Sequence, residues 1–245
     1  MDDWGKWPLN TSIYAMEKIH TNCYLCGKLD DGNFTRDHVP PKGLFLEPRP
    51  SNLITVPCCL ECNNKHSDFD ERLRIIASMP FDRNKVGQSI LDKKVLGSTL
   101  AKGRQKQFIE SLLTSMRPVA GAEGLVRAKI DAQEFAEGAI RITKGLLCEL
   151  YQNFDYFNST FKALEISQEA SKNQTNLITL FLRAQNFERG QGVFQCWHQI
   201  KESDGIGVWM MVFYQCFGFF VFHAKGTECD MWNKLQGACQ PNQTS

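Results

Sequence analysis

Hydrophobic and polar positions follow two different periods along this chain, and the changes of period mark its elements. Phe34–Val39 (FTRDHV) reads as a strand, and Pro40-Pro41 ends it because proline cannot continue a ladder. Residues 53–56 read as a second strand, stopped by Pro57. A helix opens at residues 59–62 and continues to about Ile76, and the Pro80-Phe-Asp-Arg-Asn84 stretch breaks it. Residues 85–118 read as helical and basic, and 118–124 as a loop. Between Phe135 and Tyr156 the spacing of Phe135, Ala139, Ile142, Leu146 and Leu150 predicts a core helix. Residues 176–187 read as a shorter helix, and 192–224 as a meander of three strands. Trp4, Trp7 and Pro8, near the start, read as anchors that pack on the body.

One stretch is uncharged throughout. Residues 206–222, IGVWMMVFYQCFGFFVF, approach the length of a membrane helix. Gly207, Gly218 and Gln215 interrupt the run, and its aromatic and β-branched residues favour strands. A strand-like stretch precedes it across the polar turn Lys201-Glu-Ser-Asp-Gly205. The run is therefore read as buried antiparallel strands, with no membrane partner.

At 245 residues, 42% of them hydrophobic and 22% charged, the chain has the composition of a soluble globular protein with a real core. A net charge of +1 excludes strong general attraction to polyanions, but the charge is unevenly spread. Residues 65–106 carry 10 Lys/Arg against 5 Asp/Glu, while 1–64 carry 6 against 8 and 107–245 carry 12 against 14. The positive stretch, placed to track phosphates, directly follows the most distinctive motif of the chain.

That motif is a pair of C-x2-C turns, Cys23/Cys26 and Cys59/Cys62, the spacing that closes a tetrahedral structural Zn2+ site. The opening Met-Asp-Asp-Trp is acidic and polar, unlike a secretory signal, so a cytoplasmic, reducing compartment and free thiols are expected. Cys58, Cys148, Cys196, Cys216, Cys229 and Cys239 show no ligand-like spacing to one another. Between the two pairs lie Asp37, His38 and Asn52, and Asn63 follows the last cysteine.

Phosphodiester hydrolysis needs a base to activate water and a cation to neutralise developing charge. His38 can be the base, and Asp37 offers a hard oxygen to Mg2+ or another divalent ion. Adjacent side chains on a strand diverge, so ion and base can reach a phosphate from different sides. Asn63 supplies a neutral oxygen to the same ion, and the Asn52 amide braces the loop that holds His38. His66 lies one helical turn beyond Asn63 and reads as a second ligand, a phosphate contact or a plain surface histidine.

The combination C-x2-C, D-H with the following proline, N-L and C-x2-C-N resembles the HNH endonucleases of the four-cysteine, ββα-metal kind. It is carried here by Cys23/Cys26, Asp37-His38 with Pro40, Asn52-Leu53 and Cys59/Cys62-Asn63, over about fifty residues. The resemblance implies a general-base role for His38, metal ligation by Asp37 and by Asn63 in place of histidine, a supporting role for Asn52, and DNA as substrate. The longer wording, DHVPPKGLF with PRPSNLITVP, is similar to a bacterial subgroup in which an α+β extension follows the nuclease. Some members of that subgroup sit in phage-defence loci, which implies restriction or antiviral defence alongside other defence proteins.

An α+β chain is expected: a small ββα-metal zinc nuclease module over 1–84, then a larger α+β domain with helices and an antiparallel β-meander over 85–245. The second part is expected to regulate or target the first and to pack against it. Arg36, Lys42, Lys65 and Arg72, with Arg49 and Arg74, are the expected phosphate contacts. Two rivals use the same residues, an RNA-directed nuclease and a zinc-dependent nucleic-acid-binding module without catalysis.

Overall fold

The computed structural model describes residues 22–99, 105–121, 123, 126–152, 154–166, 181, 184–228 and 230–231. The fold is α+β. Strands β1 (Phe34–Val39) and β2 (Ile54–Cys59) form an antiparallel hairpin whose connection contains a 3-10 turn at Lys42–Leu44. Helices α1 (Leu60–Lys65) and α2 (Ser67–Ser78) follow, then α3 (Lys85–Ile90). A π-helical run, α4 (Leu91–Thr99), leads toward α5 (Lys106–Ser115). The short hairpin β3 (Arg117–Pro118) with β4 (Val126–Arg127) precedes the long helix α6 (Ala132–Leu150). Strands β5 (Ser159–Glu165), β6 (Gln185–Arg189), β7 (Phe194–Lys201), β8 (Ile206–Phe213) and β9 (Phe217–Lys225) form one antiparallel sheet in the order β5-β9-β8-β7-β6.

Several sequence expectations change. Pro57 lies inside β2, opposite Arg36, rather than ending it. Both strands of a two-stranded sheet are edges, so the missing N–H faces outward and breaks no ladder bond. The helix expected from 59 to 76 is divided at His66, whose φ of −98° and ψ of 0° make it the joint between α1 and α2. Residues 117–118 pair as a strand with 126–127 where the end of a basic helix was expected. The helix expected over 176–187 does not include 185–187, which belong to edge strand β6 with Phe187 packed on Phe194. Most of its remaining residues lie outside the described ones, as do Trp4, Trp7, Pro8, Cys229 and Cys239.

The uncharged run resolves into β8 and β9, turned by Tyr214-Gln215-Cys216, where Tyr214 and Gln215 adopt φ of 49° and 66°. Strand β9 is buried on both faces from Phe217 to Ala224, which is why it reads as a near-continuous apolar run broken by His223. No helix among the described residues is long and apolar enough to cross a membrane.

Helix α6 sits at the centre. Asp131 caps it by accepting from the N–H groups of Gln133 and Glu134. The stripe read from sequence, Phe135, Ala139, Ile142 and Leu146, is buried, whereas Leu150 at its end is partly exposed. A second buried stripe on the same helix runs through Gly138, Arg141, Gly145 and Cys148. A Cβ on Gly138 would stand 1.7 Å from Cζ of Phe69 in α2, and one on Gly145 would stand 2.5 Å from Cγ2 of Val39 in β1. These glycines let α6 approach the hairpin and α2 closely, and one cluster of buried side chains runs from Cys23 and Tyr24 through α6 into the large sheet. The parts on either side of residue 84 share that core.

Two consequences can be measured. Gly138→Ala adds about 1 kcal/mol of helix propensity but forces a methyl into the Phe69 ring. The clash wins because Phe69 is itself buried. The expected result is a net loss of about 1–3 kcal/mol in denaturant unfolding, and an unchanged or raised midpoint would refute the packing described.

His223 is sealed among Phe154, Phe161 and Trp209 with neither ring nitrogen hydrogen-bonded, and burial lowers its pKa to about 3. The unfolded chain takes up this proton below its ordinary 6.5, while the folded chain resists until about 3. Stability from His223 is therefore complete above pH 6.5 and is lost as the pH falls toward 3. His223→Leu should raise the melting temperature at pH 7 and flatten its decline between pH 6.5 and 4, whereas a parallel decline would show that His223 already has a partner for its charge.

Candidate functional site

The two C-x2-C turns meet. The sulfurs of Cys23, Cys26, Cys59 and Cys62 all lie within 4.8 Å of one another, and the cluster could hold a metal ion such as zinc. Cys26 Sγ and Cys59 Sγ are 3.8 Å apart. That equals the sulfur–sulfur edge of about 3.8 Å that Zn–S bonds of about 2.3 Å produce in a tetrahedron. Burial opposes a thiolate at Cys23, but backbone N–H groups of Cys59, Cys26 and Leu25 outweigh it and bring the pKa down to about 7. Burial and the neighbouring thiols of Cys59 and Cys26 push Cys62 up, so a cation is what would let all four ionise together. Cys58, next to Cys59 on β2, stays outside the cluster as a buried thiol, and Cys58, Cys148, Cys196 and Cys216 form no disulfide.

Strand β1 separates two sets of side chains. Thr35, Asp37 and Val39 face α1, α2 and α6, while Arg36 and His38 point to the other side. Asp37 is buried, and its Oδ2 accepts from Tyr24 Oη at 2.6 Å and Arg141 Nη2 at 2.7 Å. Among the described residues its Oδ1 accepts no hydrogen bond. Asn63 on α1 donates through Nδ2 to Thr35 Oγ1 at 2.8 Å, which leaves its own Oδ1 without a donor among those residues. Each side chain is thus oriented through one atom and keeps a hard oxygen for a cation, the arrangement expected of carboxylate and amide ligands. His66 is half-buried at the helix joint; burial, then Arg141, lowers its pKa to about 4 against the opposing effect of Asp37.

His38 is half-buried, and desolvation, followed by Lys42, lowers its pKa; Arg49 and Arg36 act the same way and Asp37 opposes them. The imidazole is consequently neutral at pH 7, and the charges that reach it are those of Lys42, Arg36 and Arg49, the last paired with Glu47 at 2.6 Å. Arg36 is held over β2 by Thr55, donating from Nε to Thr55 Oγ1 at 3.0 Å and from Nη2 to Thr55 O at 3.1 Å. Thr55 is the cross-strand partner of His38. Lys42, Arg49 and Lys65 are exposed.

Two assignments move. Arg72 stands away from this surface, donating to Glu134 Oε1 at 2.8 Å and Gln105 Oε1 at 3.2 Å, with Phe108 beneath its guanidinium. Its charge ties α2 to α6 and is not available to a phosphate. Asn52 is exposed, and its amide makes no hydrogen bond among the described residues, because water satisfies a turn tip. The loop after His38 is braced elsewhere: Tyr214 Oη donates to Leu44 O at 2.7 Å and Lys94 Nζ to Phe45 O at 2.8 Å.

Sequence reasoning missed Tyr24 and Arg141. Tyr24 lies between the first two cysteines, and its signal was position alone. Its hydroxyl links the thiol turn to Asp37, and Tyr156 Oη donates to its carbonyl at 2.9 Å. Desolvation keeps the Tyr24 phenol protonated, so it is a donor here. Arg141 also donates from Nε to Tyr24 Oη at 3.2 Å and from Nη1 to Asp70. Burial alone would weaken its charge, but Tyr24, Asp70 and Asp37 outweigh that and hold it fully cationic. The available signal was a charged residue set between two apolar ones, Ile140 and Ile142, in the middle of a helix.

Compared with known proteins, the chain matches no family model, no curated protein and no solved structure.

Proposed function

We propose that this chain is a zinc-stapled endonuclease that hydrolyses phosphodiester bonds in DNA, using a divalent cation such as Mg2+ at Asp37 and Asn63. The observation that carries this reading is the division across β1. Two oriented oxygen donors face the helices, and a neutral imidazole among Arg36, Lys42 and Arg49 faces outward. In this reading the four thiolates hold Zn2+ and fix the ends of the hairpin to α1. The divalent ion, when bound, offsets charge on the phosphate and the leaving oxygen. Arg36, Lys42 and Arg49 draw the phosphate toward His38. One ring nitrogen of His38 takes the proton of the attacking water as the bond to phosphorus forms and the ester bond breaks.

Metal analysis of the purified chain should find one Zn2+. Replacing any of Cys23, Cys26, Cys59 or Cys62 by Ala should cost both the metal and cooperative unfolding, because binding energy here is folding energy. A folded native preparation without zinc would remove the staple from this account.

His38→Ala should nick supercoiled plasmid about 10² to 10⁴ times more slowly in Mg2+ or Mn2+, with zinc content and melting temperature unchanged. Cleavage by this variant at the wild-type rate would sink the mechanism. Cleavage of labelled RNA beside intact plasmid would transfer the substrate to RNA.

A further inference from the structure

The guanidinium of Arg141 presents a difficulty for any cation at Asp37. It lies 2.7 Å from the Asp37 carboxylate, and its charge has the same sign as the ion. It cannot swing away, since the residue is 3% exposed and all three guanidinium nitrogens are hydrogen-bonded, to Tyr24, Asp37 and Asp70. Gly138 and Gly145, three residues before it and four after, have no room for a Cβ against Phe69 and Val39, so the helix itself is locked beside β1. The resolution lies in Asp70 on α2. Nη1 of Arg141 donates to Asp70 Oδ1, and Nη2 is 3.5 Å from Asp70 Oδ2. Asp70 thus neutralises Arg141, and of the three charged groups one negative charge remains, on Asp37.

We propose that Asp70 is a positioning residue for the metal site: it balances Arg141, so that Arg141 and Tyr24 can orient Asp37 without cancelling its charge. This deepens the nuclease reading and rests on it. Helix α6 then completes the site. A carboxylate whose Oδ2 is fixed and whose charge is preserved is a better ligand than one free to rotate. Remove the Asp70 charge, and the guanidinium is left to pair with Asp37 alone, so that a divalent ion meets a neutral unit. The other ion pair between α2 and α6, Arg72 with Glu134 at 2.8 Å, does not touch Asp37 and supplies an internal control.

The test is Mn2+ binding by electron paramagnetic resonance on the zinc-loaded full chain, read beside plasmid nicking. Asp70→Asn should weaken Mn2+ binding about 10- to 100-fold, with zinc retained and nicking restored at correspondingly higher Mn2+. Asp70→Glu should recover the affinity, and Glu134→Gln should leave it unchanged. Wild-type Mn2+ binding with an equally tight Asp70→Asn variant would overturn this proposal alone, as would an equal loss in Glu134→Gln. Failure of the wild type to bind Mn2+ at all would bring down the nuclease reading and this proposal together. If neither Asp70→Asn nor Asp70→Ser keeps zinc and a cooperative transition, Asp70 serves folding and the proposal is also overturned.

Discussion

Burying a guanidinium is costly unless other groups take over its hydrogen bonds, and each of the three nitrogens of Arg141 has a partner, supplied by a tyrosine and two aspartates. The rest of the structure is arranged around this need. Deleting one partner of such a buried pair costs about 3–5 kcal/mol, comparable with much of the stability of a typical domain. The pair joins residues 104 positions apart, so β1 cannot hold its geometry unless α6 is in place. The glycines on either side of Arg141 serve the same end by bringing backbones close enough for a short reach. Polar specificity and close packing are therefore one feature of this helix.

The thiol cluster acts on the site through the same network. Tyr24 is flanked by two of the four sulfur residues, and its hydroxyl is one of the two donors to Asp37 Oδ2. Its backbone is held from both sides, by Pro57 O accepting from its N–H at 3.1 Å and by Tyr156. A metal at the sulfurs would stiffen the turn and with it the angle at which the phenol meets the carboxylate. What looks like a remote staple is one residue and one hydrogen bond removed from the carboxylate that the candidate chemistry depends on.

Much of this was legible in the sequence wherever the information was local. C-x2-C spacing picked out the four sulfurs and excluded Cys58, and β1 ran between the limits its alternation and prolines marked. The spacing of five apolar residues on α6 showed one buried face and hid the other, because Gly138, Arg141 and Gly145 do not look like a core until their partners on α2 and β1 are known. Pro57 was misread because an edge strand tolerates what a central strand does not. Residues 185–187 were misread because β-sheet pairing with β7 overrode helical spacing. Arg72 and Asn52 were misplaced for a shared reason: a polar side chain does not announce in sequence whether its partner is substrate, protein or water. The function of the candidate site is inferred from chemistry and resemblance, and the long-range ties sharpen that inference without replacing it.

The position of Arg141 in the chain also sets an order in time. Synthesis delivers both thiol turns, Asp37, His38 and Asn63 long before the helix that fixes Asp37 leaves the ribosome. A nascent chain stalled before residue 141 would carry every side chain of the candidate hydrolytic centre, yet its carboxylate would lack the guanidinium that orients it. The fold thus delays the fixing of Asp37 until more than half of the polypeptide exists, and in the proposed reading a truncated translation product would lack an ordered centre.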